Sequence, residues 1–324
     1  MPAPLRLFRS LDDIDDAFGP CALTIGNFDG VHAGHRRILR RVAELGRERG
    51  WKPSAMAFDP HPLTVVAPHR APRLLSAPEE RALLMAEQGI EQLLILPFTR
   101  ELSRLEPRDF VERIVAGRLG ARAVIVGDNF RFGYKHAGDT HLLAELGAQC
   151  GFLTETVPAV RLRGRVVSSS EIRRLIEQGR VALAGRLLER PYALEGEVVS
   201  GQGIGSRQTV PTLNLAPPAG VVPALGVYVT RTADLDAGRH WPSVTNVGSR
   251  PTFGGQGMII ETHLLGPIQG TGSPRAIRVE FLRRLRAERK FDSPEALKAQ
   301  ILRDIARAKR HFARVQRTVG GGGT

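Results

Sequence analysis

The chain has 324 residues, 42% apolar and 24% charged, with a formal net charge of +13. At roughly 150 residues per domain the length suggests about two domains, and the composition is that of an ordinary soluble protein. No apolar stretch approaches the roughly 20 residues that span a bilayer, and the opening MPAPLRLFRSLDDIDD has no apolar core of signal-peptide type, so a cytoplasmic protein is expected.

The first half alternates two textures. Strand candidates CALTIG, PSAMAF, QLLILPF, RAVIVG and GFLTETV are separated by helical patterns over residues 36–49, 78–88, 106–119 and 140–150. Near-continuous apolar strands between helices predict a parallel sheet covered on both faces. Such sheets bind ligands at the carboxyl ends of their strands. The loops GNFDGVHAGH, FDPHP and GDNFRFGYKHAGD fall there. Short helical stretches follow over 171–177 and 181–188, and then the texture changes at ERPYALEG. From Tyr192 the segments YALEGEVVSG, TLNLA, GVYVTRT, WPSVTNVG, MIIETHLL and AIRVEFL read as short strands with Gly/Pro turns. That pattern predicts a small antiparallel barrel or sandwich. A helix from Ser293 to about Arg314 closes it, with Ser293 as cap and Pro294 in the first turn.

Cys21 and Cys150 stand outside any CxxC or His/Cys cluster, so both are expected as free, buried thiols. The positive balance favours polyanionic partners: nucleic acid, phosphorylated metabolites or an anionic surface. Basic residues are spread through both halves and only 6% of residues are aromatic, which argues against a stacking platform for single strands.

In GNFDGVHAGH a helix starting near Gly34 presents unpaired N–H groups and a partial positive charge. Gly30 and Gly34 let a phosphate approach the backbone, and His32 and His35 are placed to donate to charge that develops during transfer. Asp29 is expected near that centre without touching phosphate. The rival readings are a zinc pair, for which no third ligand of suitable spacing is near, and an ordinary turn residue followed by a solvated first-turn residue. The second signal is SSSEIRR, Ser168 to Arg174, where one hydroxyl caps a helix and Arg173 offers a fork for phosphate oxygens. Alone, it also reads as an N-cap with a surface arginine. No Walker A pattern occurs.

HAGH early and SSSEIRR after the last strand resemble the paired motifs of the HxGH nucleotidyltransferase superfamily. GNFDGVHAGH, FDPHP, VGDNFRFG and SSSEIRR, followed by VPTLN, GVY, NVGSRPTF, ETHLL and RAERKF, resemble the bacterial bifunctional riboflavin kinase/FAD synthetase family over nearly the whole chain. The resemblance implies a Rossmann-like adenylyltransferase domain over 1–187, a riboflavin-kinase barrel over 188–317, and a flexible tail over 318–324. It implies phosphorylation of riboflavin to FMN with Mg2+ and ATP, then transfer of AMP from ATP to FMN, giving FAD and pyrophosphate. Riboflavin, FMN and ATP are the implied partners, with no nucleic acid and no membrane.

By the same resemblance, Gly26, Asn27 and Phe28 shape the nucleotide cleft, and His32, Gly34 and His35 face the ATP phosphates. Ser169, Ser170 and Arg173 form the second phosphate motif, and Asn129 and Phe130 suit FMN, though Phe130 and Phe132 also fit a plain core role. In the second domain Gly201 and Gly205 belong to a nucleotide flap. Thr212 and Asn214, two apart and so on one face, offer oxygens to Mg2+, and Glu261 is the general base. The chain departs from the family at Ser170 (usually Thr), at Asp59 (often Glu) and in the flap. There Ser206, Gln208, Thr209 and Leu213 replace Arg, Leu, Gly and Ala, with Arg207 one place from the missing guanidinium. The alternative reading is an FMN adenylyltransferase with a weakened or silent kinase module. An RNA-binding protein is a third class, without an RNP or KH pattern to support it.

Overall fold

The computed structural model describes residues 4–15, 17–199, 212–216, 218–252, 255–267 and 273–320. The chain divides into two compact units, Met1–Ser169 and Ser170–Thr324.

In the first unit β1 (Arg6–Phe8), β2 (Cys21–Ile25), β3 (Lys52–Asp59), β4 (Gln92–Pro97), β5 (Ala121–Gly127) and β6 (Leu153–Val157) form one sheet in the order β1-β4-β3-β2-β5-β6. Every pairing in it is parallel. All five residues of β2 are buried, because both faces of the sheet are covered. On one face Leu39 and Val42 of α1 (Ala33–Arg49) and Met85 of α3 (Pro78–Ala86) pack on Ala55, Leu93 and Ile125. On the other, Phe110 and Val111 pack with Leu143 and Leu146 of α5 (Thr140–Cys150) on Leu23, Met56 and Val124. Burying each such side chain is worth about 1.5–3 kcal/mol, so the sheet is the rigid frame from which the loops hang. The short α2 (Pro62–Val66) follows β3.

Two local features differ from the sequence pattern. The three-residue β1, paired with β4 from Arg6↔Gln92 to Phe8↔Leu94, is too short to show a period. The helix expected over 106–119 begins as α4 (Pro107–Asp109) and continues as a π-helix over Phe110–Arg118. Gly117 permits the wide turn, since a Cβ there would lie 2.8 Å from the Glu112 carbonyl oxygen.

The chain runs from β2 through β3 to β4 on one side and returns to place β5 and β6 on the other. The strand order therefore reverses between β2 and β5, and the crevice beyond their carboxyl ends is where such sheets bind ligands. GNFDGVHAGH leaves β2 and GDNFRFG leaves β5. A hairpin of β7 (Arg161–Leu162) and β8 (Arg165–Val166) precedes α6 (Ser169–Glu177) and α7 (Val181–Leu188).

In the second unit β9 (Tyr192–Val199), β10 (Thr212–Leu215), β11 (Gly226–Asp234), β12 (His240–Thr252), β13 (Gly255–Leu264) and β14 (Ala276–Ala287) close an antiparallel barrel in the order β10-β13-β12-β11-β14-β9. Its interior holds Tyr228, Val247, Ile260, Val279 and Phe281. It also holds a chain of buried hydroxyls in which Thr232 and Thr230 each meet Ser243 at 2.8 Å, Thr230 meets Thr245 at 2.7 Å and Thr245 meets Thr262 at 2.9 Å. Outside, Ile305, Ala308 and Phe312 of α8 (Pro294–Gly320) pack on Val227, Val229 and Val244. Ser293 caps α8 as expected, its Oγ accepting from the Ala296 N–H at 3.2 Å. The helix runs on to Gly320, so 318–320, expected in the tail, are helical; the good helix formers Ala313 to Arg317 carry it past Arg314. Cys21 and Cys150 are both free, the first buried and the second half-buried. Burial pushes the Cys21 thiol up to about 12.

Candidate active sites

The loop after β2 is built from uncommon backbone. Phe28 and Val31 take φ of 49 and 37, and Gly30 takes 81. Two non-glycine residues, one β-branched, in the left-handed region cost of order 1–3 kcal/mol each and persist only when their surroundings over-determine them. The restraints are explicit. Asp29, 2% exposed, accepts from the Leu75 N–H at 2.9 and 3.1 Å and from the Ser76 N–H at 3.2 Å. The Gly30 N–H donates to Ser76 Oγ at 2.9 Å, and Ser169 Oγ donates to the Asp29 carbonyl at 2.9 Å. Arg81, 4% exposed, donates to the Asn27 carbonyl at 2.8 Å. The Asn27 side-chain amide meets His61 Nε2 at 3.3 Å, while His61 Nδ1 accepts from the Leu63 N–H at 3.2 Å. Asp29 thus serves as a strap.

The loop delivers His32 to the N-cap of α1, where its Nδ1 accepts from the His35 N–H at 3.3 Å. Gly34 makes room for this ring: a Cβ there would lie 3.1 Å from Cε1 and 3.2 Å from Nδ1 of His32. The His35 ring stacks on that of His32 with centroids 3.6 Å apart and planes 16° apart. Phe28, 2% exposed, meets His35 edge-on at 5.2 Å. Gly26 lets that ring close in, since a Cβ there would lie 3.3 Å from it. His32 accepts through Nδ1, so its neutral ring carries the proton on Nε2. His35 Nδ1 is sealed from solvent without a partner among the described residues. A lone pair is the cheaper group to leave there, which puts the His35 proton on Nε2 as well. Burial first, and the neighbouring His32 second, hold the His35 pKa well below its usual value, so the ring is neutral near pH 7. The pair therefore offers two Nε2–H donors at the start of α1.

At the end of β5, Asn129 is exposed and Gly127 gives its side chain room, a Cβ there lying 3.3 Å from Asn129 Oδ1. Phe130 is half-buried and stacks on Phe132 at 5.6 Å and 15°, and Phe132 is a core residue against Phe110. Ser169 and Ser170 open α6, and Arg173 follows one turn on, half-buried.

In the second unit the register assembles the site. Thr212 and Asn214 are half-buried on the outer side of β10, alternating with the buried Leu213 and Leu215. Asn214 stands opposite Glu261 on β13, and Glu261 stands opposite Asn246 on β12. Directly opposed residues share a face, so Asn214, Glu261 and Asn246 form one rung across three strands. Thr212 stands opposite His263, with Oγ1 and Nδ1 2.8 Å apart. Burial lowers the His263 pKa, against the upward pull of Glu261. Asn246 and His263 were not singled out from sequence; the pairing partners of Glu261 and Thr212 identify them. Gly201, Gly205, Ser206, Arg207, Gln208 and Thr209 lie outside the described residues. Among the described residues no group of three or more His, Cys, Asp and Glu side chains is placed to hold a metal ion.

A parallel sheet with a histidine-capped helix at its switch point, joined to a closed barrel with a carboxylate flanked by amides, defines a two-part phosphate-transfer enzyme. The family comparisons agree: residues 15–171 match the FAD synthetase model and residues 188–312 the riboflavin kinase model. The bifunctional riboflavin kinase/FMN adenylyltransferase of Pseudomonas fluorescens is 38% identical over 94% of this chain and 97% of its own. That of Escherichia coli K12 is 35% identical over 95% and 98%. The chain belongs to the bifunctional riboflavin kinase/FMN adenylyltransferase family. A solved structure from Streptococcus pneumoniae, described as a macrolide-efflux protein, is similar over 94% of this chain and 98% of that one, with a TM-score of 0.84 and 26% identity. No helix among the described residues of this chain is long and apolar enough to cross a membrane.

Proposed function

We propose that this chain makes FAD in two steps, phosphorylating riboflavin to FMN and then transferring AMP from ATP to FMN with release of pyrophosphate. The observation that carries this reading is that both family models fall in tandem on one chain. Matches to both favour it over an adenylyltransferase with a silent kinase module. We place the adenylyltransferase at 1–187 and the kinase at 188–317.

In the first unit an FMN phosphate oxygen attacks the α-phosphorus of ATP and pyrophosphate leaves. The Nε2–H groups of His32 and His35 and the N-terminus of α1 stabilise the charge that develops. Gly26, Asn27 and Phe28 shape the cleft around ATP, and Asn129 and Phe130 receive FMN; Ser169, Ser170 and Arg173 are assigned to phosphate binding by the family resemblance alone. In the second unit Glu261 takes the proton of the riboflavin 5′-hydroxyl as that oxygen attacks the γ-phosphorus of ATP, the bond from that phosphorus to the β,γ-bridging oxygen breaks and ADP leaves. The hydroxyl of Thr212 and the amide oxygen of Asn214 are hard oxygen donors, which fits Mg2+, and these two residues would hold it. Bound there with the nucleotide, Mg2+ neutralises phosphate charge. Gly201 and Gly205 are assigned to ATP binding by the family resemblance. The enzyme acts on small molecules in the cytoplasm, a reading supported by its two free cysteines.

Incubation with riboflavin and Mg-ATP, with flavins resolved by chromatography, tests this. FMN is expected first and FAD after it. FAD formed from FMN without FMN formed from riboflavin would give the single-activity reading instead.

A further inference from the structure

We propose that His263 is a positioning residue of the kinase site: its Nδ1 accepts a hydrogen bond from the Thr212 hydroxyl, so that the Thr212 oxygen presents its lone pairs to Mg2+. The inference rests on the reading of Thr212 and Asn214 as the metal-holding pair.

Three observations carry it. Thr212 and His263 are direct partners in the β10–β13 register, and Oγ1 and Nδ1 are 2.8 Å apart. Both side chains are half-buried on the outer side of the strands, one step along from the Asn214–Glu261 pair. The Ser and Thr hydroxyls of the interior row bond to one another, and Thr212 is on the opposite side of its strand from them.

A threonine hydroxyl carries one proton and two lone pairs, and the proton rotates to suit its neighbours. A hydroxyl with no fixed acceptor spends part of its time with the proton where a cation belongs. The branched Cβ of threonine already limits χ1, so an acceptor that fixes the O–H rotor completes the orientation of the ligand atom. An imidazole with its proton on Nε2 is such an acceptor at Nδ1. It also leaves more electron density on the hydroxyl oxygen, as outer partners of metal ligands generally do. His263 holds the donor and does not itself touch metal or substrate. Loss of such partners commonly weakens metal binding by about 10- to 100-fold.

The readout is Mn2+ binding to the full chain in the presence of ADP, followed by electron paramagnetic resonance. The class of bound Mn2+ that disappears in Thr212→Val marks this site. His263→Leu removes the acceptor, His263→Asn restores one at the same bond distance from Cγ, and His263→Gln displaces it by one bond. His263→Leu is expected to weaken that Mn2+ class by at least about tenfold, His263→Asn to stay within about threefold of the parent, and His263→Gln to resemble His263→Leu. Thermal unfolding of each variant shows which are folded, and if His263→Leu is not, the Asn and Gln pair carries the test. Equal weakening by Asn and Gln, or no weakening in His263→Leu while Thr212→Val loses the ion, overturns the role of His263 and leaves Thr212 as a ligand. No change in Thr212→Val overturns the metal reading itself, and the positioning role falls with it.

Discussion

Asn214 and Glu261 face each other across β10 and β13, with Asn246 completing the rung on β12. The carboxylate is thus flanked by two neutral amides at its own height on the sheet. Glu261→Gln keeps the shape of the rung and removes the base. The kcat for FMN formation is expected to fall by about a hundredfold or more, with the KM for riboflavin little changed. Steady-state kinetics at saturating Mg-ATP decide it, and an unchanged kcat removes Glu261 from the chemistry.

His32→Ala and His35→Ala should each slow adenylyl transfer by about 10²–10³, the usual loss for one donor aimed at developing charge. His32→Ala also removes the α1 cap, at a further cost of about 0.5–2 kcal/mol of stability. Riboflavin phosphorylation measured in the same samples should be nearly intact. Parallel loss of both activities would instead mark a folding defect.

The half-buried, neutral His35 makes stability depend on pH. Its folded pKa lies well below the unfolded value of about 6.5. The unfolded chain therefore binds the proton first, and acid favours unfolding. The contribution is complete above about pH 7 and is lost as pH falls through 6.5 toward the folded pKa. Urea midpoints measured from pH 8 to pH 5 should drop over that window, and the drop should shrink in His35→Phe. Identical profiles for the two proteins would show that another group is responsible.

Asp29→Ala cuts the strap that holds Leu75 and Ser76 to the loop after β2. It leaves two buried N–H groups without their carboxylate, so a loss of at least about 1.5 kcal/mol is expected, with FMN adenylylation falling too. Urea unfolding measures the first and FAD formation the second. A variant as stable as the parent would show that the left-handed residues of the loop need no such restraint.

The central strands of the sheet were legible because they are near-continuous apolar runs, and α1 because its loop combines glycine and histidine ahead of an amphipathic stretch. The histidine pair was legible as a pair. That His32 is the cap, with Gly34 leaving space for its ring, was not, because a stacking geometry has no periodicity to read. Phe28 looks from its neighbours like a cleft residue, and only the positive φ at its position turns it beneath His35. In the barrel Thr212 and Asn214 declare a shared face by spacing, but which residues oppose them depends on strand register. Nothing within a single strand specifies that, and so His263 and Asn246 emerged only from the folded chain.

Five Ser and Thr hydroxyls inside the barrel form a line from Thr232 through Ser243, Thr230 and Thr245 to Thr262. Each hydroxyl has a single proton to give, so a donor direction adopted at one end is passed along the row, and reversing it requires every member to turn. Valine at Thr245 would sever the row, leaving Thr230 bonded to Ser243 but Thr262 without its partner in the row, whereas valine at Thr262 would only shorten it. Replacing Thr245 and Thr262 together should then cost less than the sum of the two single changes, because the second removes a group the first had already orphaned. The middle of this barrel is a coupled polar string, in which the cost of one replacement depends on its neighbours.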